Sequence, residues 1–152
     1  MASVRRATVV DLAPQQAFDL WTDVRRWPTF VDGFGHVERL DDAWPEPPAK
    51  LVWRSPPAGR GTVTEKVLQS EPAQRFSTRV FEERLTGTQT IEFMPGDEPR
   101  TAAVALTLDY ELQKAGPLRA ITDALFIRRA QGDALQRTLK RFAIEAAEEA
   151  AL

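Results

Sequence analysis

The feature that most constrains this chain is its last stretch, Gly116 to Ala150. There Leu118, Ile121, Leu125, Gly132, Leu135, Leu139, Ala143 and Ala146 recur at steps of three, four or seven, which predicts one stripe of an amphipathic helix. Gly116 and Pro117 open it, with proline at the first helical position, where no N–H is needed. Such a helix is ~50 Å long at ~1.5 Å per residue, whereas a compact chain of this size has a radius of gyration of only ~15 Å. It must therefore cross the whole molecule. The economical way to bury so long a stripe is to lay it along the hollow of a curved sheet.

The remainder of the chain reads as that sheet. Ser3 to Asp11 is rich in β-branched residues and stops at Leu12-Ala13-Pro14, which predicts a first strand. Pro14 opens a short helix with Ala17, Phe18, Leu20 and Trp21 on its apolar face. Trp27-Pro28 is expected to interrupt it, because the residue before proline avoids the helical region, and Pro28 to Phe34 restarts as a second short helix ended by Gly33 or Gly35. Strands are then expected at His36–Leu40, Ala49–Ser55, Arg60–Leu68, Phe76–Glu83, Thr88–Met94 and Ala102–Leu112, separated by proline-rich loops, Pro72, Gly87 and Pro95–Pro99. The last alternates most cleanly, with Ala102, Val104, Leu106, Leu108, Tyr110 and Leu112 on one face, so one side is buried and one wet. No long crossover separates strands two to seven, and the expected topology is an antiparallel meander. At 152 residues this is one domain, 1–152, of α+β class.

The run Ala13-Pro14, Ala17-Phe18-Asp19-Leu20-Trp21-Thr22-Asp23 and Arg26-Trp27-Pro28-Thr29-Phe30 resembles the opening pattern of the START and polyketide-cyclase (SRPBCC) superfamily. The order of strand, two short helices, six strands and long terminal helix is similar to that superfamily's helix-grip fold over essentially the whole chain. The resemblance implies a curved seven-stranded antiparallel sheet wrapped around the C-terminal helix, enclosing a hydrophobic small molecule. It does not imply a reaction, because members resembling this chain include lipid and sterol carriers, quinone and hormone binders, and aromatase/cyclases. Phe34 stands where aromatase/cyclases of the family often carry a tyrosine at the end of the second short helix.

Composition narrows the partners. Twenty Lys and Arg against 22 Asp and Glu give a net charge of −2, so no overall basic field attracts nucleic acid or an anionic membrane. A local cluster, Arg128, Arg129, Arg137, Lys140 and Arg141, reads as a solvated helix flank. With no cysteine there is no disulfide framework, thiol nucleophile or Cys-ligated metal, and no metal or other cofactor is expected. No apolar run approaches the ~18 residues of a membrane span, and MASVRRATVV lacks the apolar core of a signal peptide, so a cytoplasmic protein is expected.

The expected pocket lies between sheet and terminal helix, lined by Phe30, Phe34, Trp53, Phe76, Leu108, Tyr110 and Gly132, with Glu65 and Arg128 as its polar elements. Glycine inside a helix costs roughly 1 kcal/mol against alanine, so Gly132 either widens the cavity or packs closely against a neighbouring side chain. Arg128 fills the stripe's missing step between Leu125 and Gly132, and its charge needs a partner. Glu65 is the candidate if Val63 and Val67 face inward with it; the alternative register turns Thr62, Thr64 and Lys66 inward and leaves Glu65 in water. A paired, buried Glu65 could orient a ketone or phenol, or move a proton. Trp53 and Phe76 read equally as plain core, and the Tyr110 hydroxyl as satisfied by protein. His36 is the sole histidine and no GxSxG elbow is present, which excludes a Ser-His-Asp hydrolase. Three readings stand: a binder of an apolar, ring-containing molecule, polyketide- or lipid-like; a polyketide cyclase or dehydratase; and a protein-interaction module or homodimer using Phe126 and Ile127.

Overall fold

The computed structural model describes residues 2–113 and 120–152, the side chains of 120–123 excepted. Gly116, Pro117, Leu118 and the side chain of Ile121, expected to begin the terminal helix, lie outside the described residues. The elements run β1 (Ala2–Val10), α1 (Pro14–Thr22), a 3₁₀ turn (Val24–Arg26), α2 (Trp27–Phe30), β2 (His36–Leu40), β3 (Lys50–Arg54), β4 (Thr62–Glu71), β5 (Arg75–Phe81), β6 (Leu85–Pro95), β7 (Ala102–Leu112) and α3 (Ala120–Ala150).

All seven strands form one antiparallel sheet in the order β1-β7-β6-β5-β4-β3-β2, so the first strand returns beside the last. Register shifts at Val37/Arg39 and Val67/Gln69 bend it, as bulges do. The sheet curls around α3, and α1 and α2 close the side between β1 and β2: this is the helix-grip arrangement.

Three local expectations are corrected. Helix α1 ends at Asp23, whose extended backbone and side-chain acceptance of the Arg25 N–H at 3.2 Å begin the 3₁₀ turn. Trp27, although it precedes Pro28, is helical (φ −56°, ψ −36°) and starts α2, so the interruption lies four residues earlier than expected. Gly87 lies inside β6 opposite Tyr110 instead of separating strands. A Cβ there would come within 2.6 Å of the Asp109 carbonyl, so this strand pair approaches as closely as it does only over a glycine.

Helix α3 buries Gly132, Leu135, Thr138, Leu139, Phe142 and Ala146. Phe142 is fully buried against Phe30 (5.1 Å between ring centroids) and Trp21 (5.4 Å), and Trp21 stacks on Phe30 at 5.5 Å. This aromatic cluster joins α1, α2 and α3. Two ion-pair sets tie the same elements from outside: Arg26 donates to Glu145 and Glu149, and Asp32 accepts from Arg137 and Arg141. Leu125, expected on the buried stripe, is 65% exposed. The reason is length: α3 spans ~46 Å at ~1.5 Å per residue, whereas β1 beneath it spans only ~30 Å at ~3.3 Å per residue. Its first described turns therefore overhang the sheet.

Candidate functional site

The candidate site is built around Glu65. Strand β4 alternates with Val63, Glu65 and Val67 buried, so the carboxylate enters the interior with two valines as neighbours on its face. Pairing sets what it meets. Trp53 lies opposite Val63 on β3 and Thr78 opposite Val67 on β5, so each is a diagonal neighbour of Glu65 on the same face. The Trp53 indole N–H donates to Glu65 Oε2 at 2.8 Å and the Thr78 hydroxyl donates to Oε1 at 2.9 Å. Glu65 is 3% exposed. Burial pushes its carboxyl above the ordinary carboxylate range; the two hydrogen bonds and then the charge of Arg60 pull the other way without cancelling the rise.

Arg60 supplies the nearby positive charge. Its guanidinium lies over the Trp53 ring, 5.1 Å from the centroid, and its Nε donates to Glu82 at 2.6 Å. It reaches this place from the turn after β3, where Ser55 and Gly61 are joined by hydrogen bonds between their backbones and from the Gly61 N–H to the Ser55 hydroxyl. Glu65, Trp53 and Arg60 line a cavity of about 30 Å³ together with Leu106 and Leu108 of β7, Gln89 of β6, and Gln131, Leu135 and Thr138 of α3. That volume holds one or two waters. A ring enters only when the walls move.

Of the residues expected to line a pocket, the structure brings Glu65, Trp53 and Leu108 to this cavity. Phe34 does not line it but packs against the Trp53 ring, tilted by 31° with 5.0 Å between ring centroids. Phe30 belongs to the aromatic cluster with Phe142, and Phe76 packs against Trp44 (5.4 Å) and Phe18 (6.2 Å), so neither lines it. Gly132 faces β1: a Cβ there would collide with the Arg6 guanidinium, so its missing side chain makes room for Arg6. Arg128 does not meet Glu65. It is exposed on the overhanging part of α3, in a groove with Arg5, Arg6 and Arg129, and the carboxylate takes its hydrogen bonds from Trp53 and Thr78 instead. Tyr110 is buried on the inner face of β7, but its hydroxyl has no hydrogen-bond partner among the described residues. Phe126 is 70% exposed, and Ile127 packs partly against the core.

Sequence reading missed Arg60, Gln89 and Gln131. Gln89 sits in the inward series Leu85, Gly87, Gln89, Ile91 and Phe93, a polar residue inside an apolar alternation, which was hidden by starting the strand at Thr88. Gln131 lies four residues before Leu135 and so shares its face. Nothing in the sequence marks Arg60, whose place depends on a turn.

Among the described residues no helix is long and apolar enough to cross a membrane. Comparison with curated proteins gives no match. Among solved structures, a START superfamily protein from Mycobacterium smegmatis superposes with a TM-score of 0.75 at 14% identity, covering 96% of this chain and 97% of its own. A protein from Thermus thermophilus gives 0.72 at 18% identity, covering 97% and 99%. A norcoclaurine synthase point mutant from Thalictrum, in complex with a transition-state analogue, gives 0.71 at 12% identity, covering 97% and 95%. At these identities the likeness concerns the fold. The family described as polyketide cyclase / dehydrase and lipid transport matches residues 1–147, nearly the whole chain, and it is to this family that the chain belongs.

Proposed function

We propose that the protein binds an apolar, ring-containing small molecule between the sheet and α3, with the Glu65 carboxyl as its polar anchor. The observation that carries this reading is a buried carboxyl on the wall of the small cavity enclosed between the sheet and α3, with no cation in direct contact among the described residues. A carboxyl whose proton affinity is raised by burial can present an O–H to a ketone or phenol oxygen, or accept from a phenol when ionised. Family membership and fold support a hydrophobic ligand. Because the cavity is small, uptake requires displacement of its walls, and Arg60, its side chain 31% exposed, is one wall that reaches solvent.

The test is mass spectrometry of small molecules extracted from the purified, denatured protein against a mock purification, with uptake assays on a panel of ring ketones and phenols. A stoichiometric compound, or uptake weakened by Glu65→Gln, supports the reading. No extract and no uptake across the panel overturn it.

A cyclase or dehydratase is the second reading, favoured by the same protonatable carboxyl, which could deliver a proton to a ketone oxygen of a poly-β-keto substrate. Turnover of such a substrate, lost in Glu65→Gln while binding persists, would select it.

A further inference from the structure

We propose that the groove between the start of β1 and the overhanging turns of α3 is a binding site for an amphipathic anion, an apolar body carrying a carboxylate or phosphate head. The groove has a volume of about 580 Å³ and is lined by Val4 and Leu125 with four arginines, Arg5, Arg6, Arg128 and Arg129. It is a different place from the Glu65 cavity, sharing no lining residue with it, and the proposal does not rest on the reading of that cavity.

Three observations carry it. First, the arginines are unneutralised: among the described residues none of the four has a carboxylate within ion-pair distance, and the one hydrogen bond made by their side chains is from Arg6 to the Arg5 carbonyl at 2.9 Å. Elsewhere the pattern is the opposite. Arg137 and Arg141, farther along α3, are both held by Asp32, and Arg26 is held by Glu145 and Glu149. Arg5, next to Arg6 on β1, turns to the other face of the strand and reaches the groove from its edge, so Arg6, Arg128 and Arg129 are its main charges; in a chain of net charge −2, such a group without a carboxylate among the described residues is not a general excess of base.

Second, the wall beside the groove holds an unpartnered donor. Tyr110 is 2% exposed and its hydroxyl has no partner among the described residues. It lies opposite Ala2 in the β1–β7 ladder, and Val4, which lines the groove, lies opposite Leu108, so Tyr110 and Val4 are diagonal neighbours on one face. The hydroxyl is close enough to feel the positive charge of Arg128. A ligand oxygen held by Arg128 would supply the acceptor that the tyrosine lacks.

Third, the site is not purely polar. Leu125 is 65% exposed beside the arginines, and Val4 lies beneath them. A free inorganic anion would satisfy the guanidinium forks and leave Leu125 wet, whereas an alkyl or aryl body would cover it. Arginine's planar fork suits carboxylate and phosphate alike.

The test is titration calorimetry with decyl phosphate below its micellar concentration, compared with inorganic phosphate and decanol. Decyl phosphate should bind at least about tenfold more tightly than either, and the Arg128→Gln/Arg129→Gln pair should weaken it about tenfold or more. Raising salt from 50 to 500 mM should weaken binding in the wild type more than in the pair. Tyr110→Phe should weaken binding while leaving thermal stability equal or higher, a combination that loss of folding cannot imitate. Three results would each overturn the site: no binding of decyl phosphate, equal binding by the arginine variant, or capture by anionic lipid vesicles without binding of monomeric decyl phosphate. The last would identify a membrane-contacting surface instead.

Discussion

The Trp53 indole N–H and the Glu65 carboxylate meet at 2.8 Å across adjacent strands, diagonal neighbours on the concave face, with Thr78 completing the pair from the other side. Indole is only a donor. One carboxyl oxygen is therefore committed to accepting, and when the group binds a proton, the proton resides on the oxygen facing Thr78 or on the lone pairs turned to the cavity. This arrangement holds Glu65 buried without a directly bonded cation.

Its consequence for stability has a definite sign. The folded-state pKa of Glu65 is raised above the ordinary value of 4.5, so the folded protein binds more protons than the unfolded chain between that value and the raised one. Stability must fall as pH rises through this window and level off above it. In Glu65→Gln the amide oxygen accepts from Trp53 and the amide nitrogen donates to Thr78, so both contacts persist without the charge. Chemical denaturation at pH 4 to 8 should show the variant gaining on the wild type as pH rises. A constant difference across the range would show that Glu65 does not titrate abnormally.

Removing the donors should move the carboxyl further. Trp53→Phe and Thr78→Val each delete a hydrogen bond that now lowers the pKa of Glu65. Each should raise its titration midpoint, read by carboxyl NMR, and cost about 1.5–3 kcal/mol at pH values where Glu65 is ionised, as a hydrogen bond to a charged group is lost. At pH values where Glu65 is protonated the cost should shrink. An unchanged midpoint in both variants would mean that solvent reaches the carboxyl.

Phe142 should be the residue that α3 can least spare. It is fully buried between Trp21 and Phe30, joining the terminal helix to α1 and α2. Phe142→Ala should cost about 3–5 kcal/mol, with m-value preserved in urea unfolding. A cost under about 1 kcal/mol would mean the neighbouring rings collapse into the space.

What could be read from the sequence follows from how local each signal is. Strand β7 was found at its observed bounds, Ala102–Leu112, because its alternation is unbroken over eleven residues and the residues of each face are of one kind. The order of elements was legible for the same reason. Helix α3 is legible as a helix, but the spacing alone runs its stripe through Leu125 and Ala143 and passes by Phe142, because steps of three and four leave two adjacent tracks open and only the aromatic cluster chooses between them. The partner of Glu65 was not legible. Electrostatic need suggested Arg128, but strand register places Trp53 and Thr78 diagonally beside it, and register is a property of the assembled sheet. The hollow's small volume was not legible either, since filling depends on how Trp21, Trp27 and Trp53 turn together.

Gly132 gives the last prediction. Its absent side chain leaves room for the Arg6 guanidinium, which a Cβ would strike. The struck atoms are the far end of a flexible side chain whose one hydrogen bond among the described residues is to the Arg5 carbonyl, so the guanidinium can swing into the neighbouring groove. Against that displacement stands the helix-propensity gain of roughly 1 kcal/mol for alanine over glycine in a helix interior. Gly132→Ala should therefore be stabilising by about 0.5–1 kcal/mol, a rise in Tm of roughly 1–4 °C for a domain of this size. The paired variant Arg6→Ala/Gly132→Ala separates the two contributions, because with the guanidinium gone the full propensity gain should appear. Destabilisation by Gly132→Ala that disappears in the Arg6→Ala background would show instead that Arg6 is locked in place over the helix, and that the glycine is there to seat it.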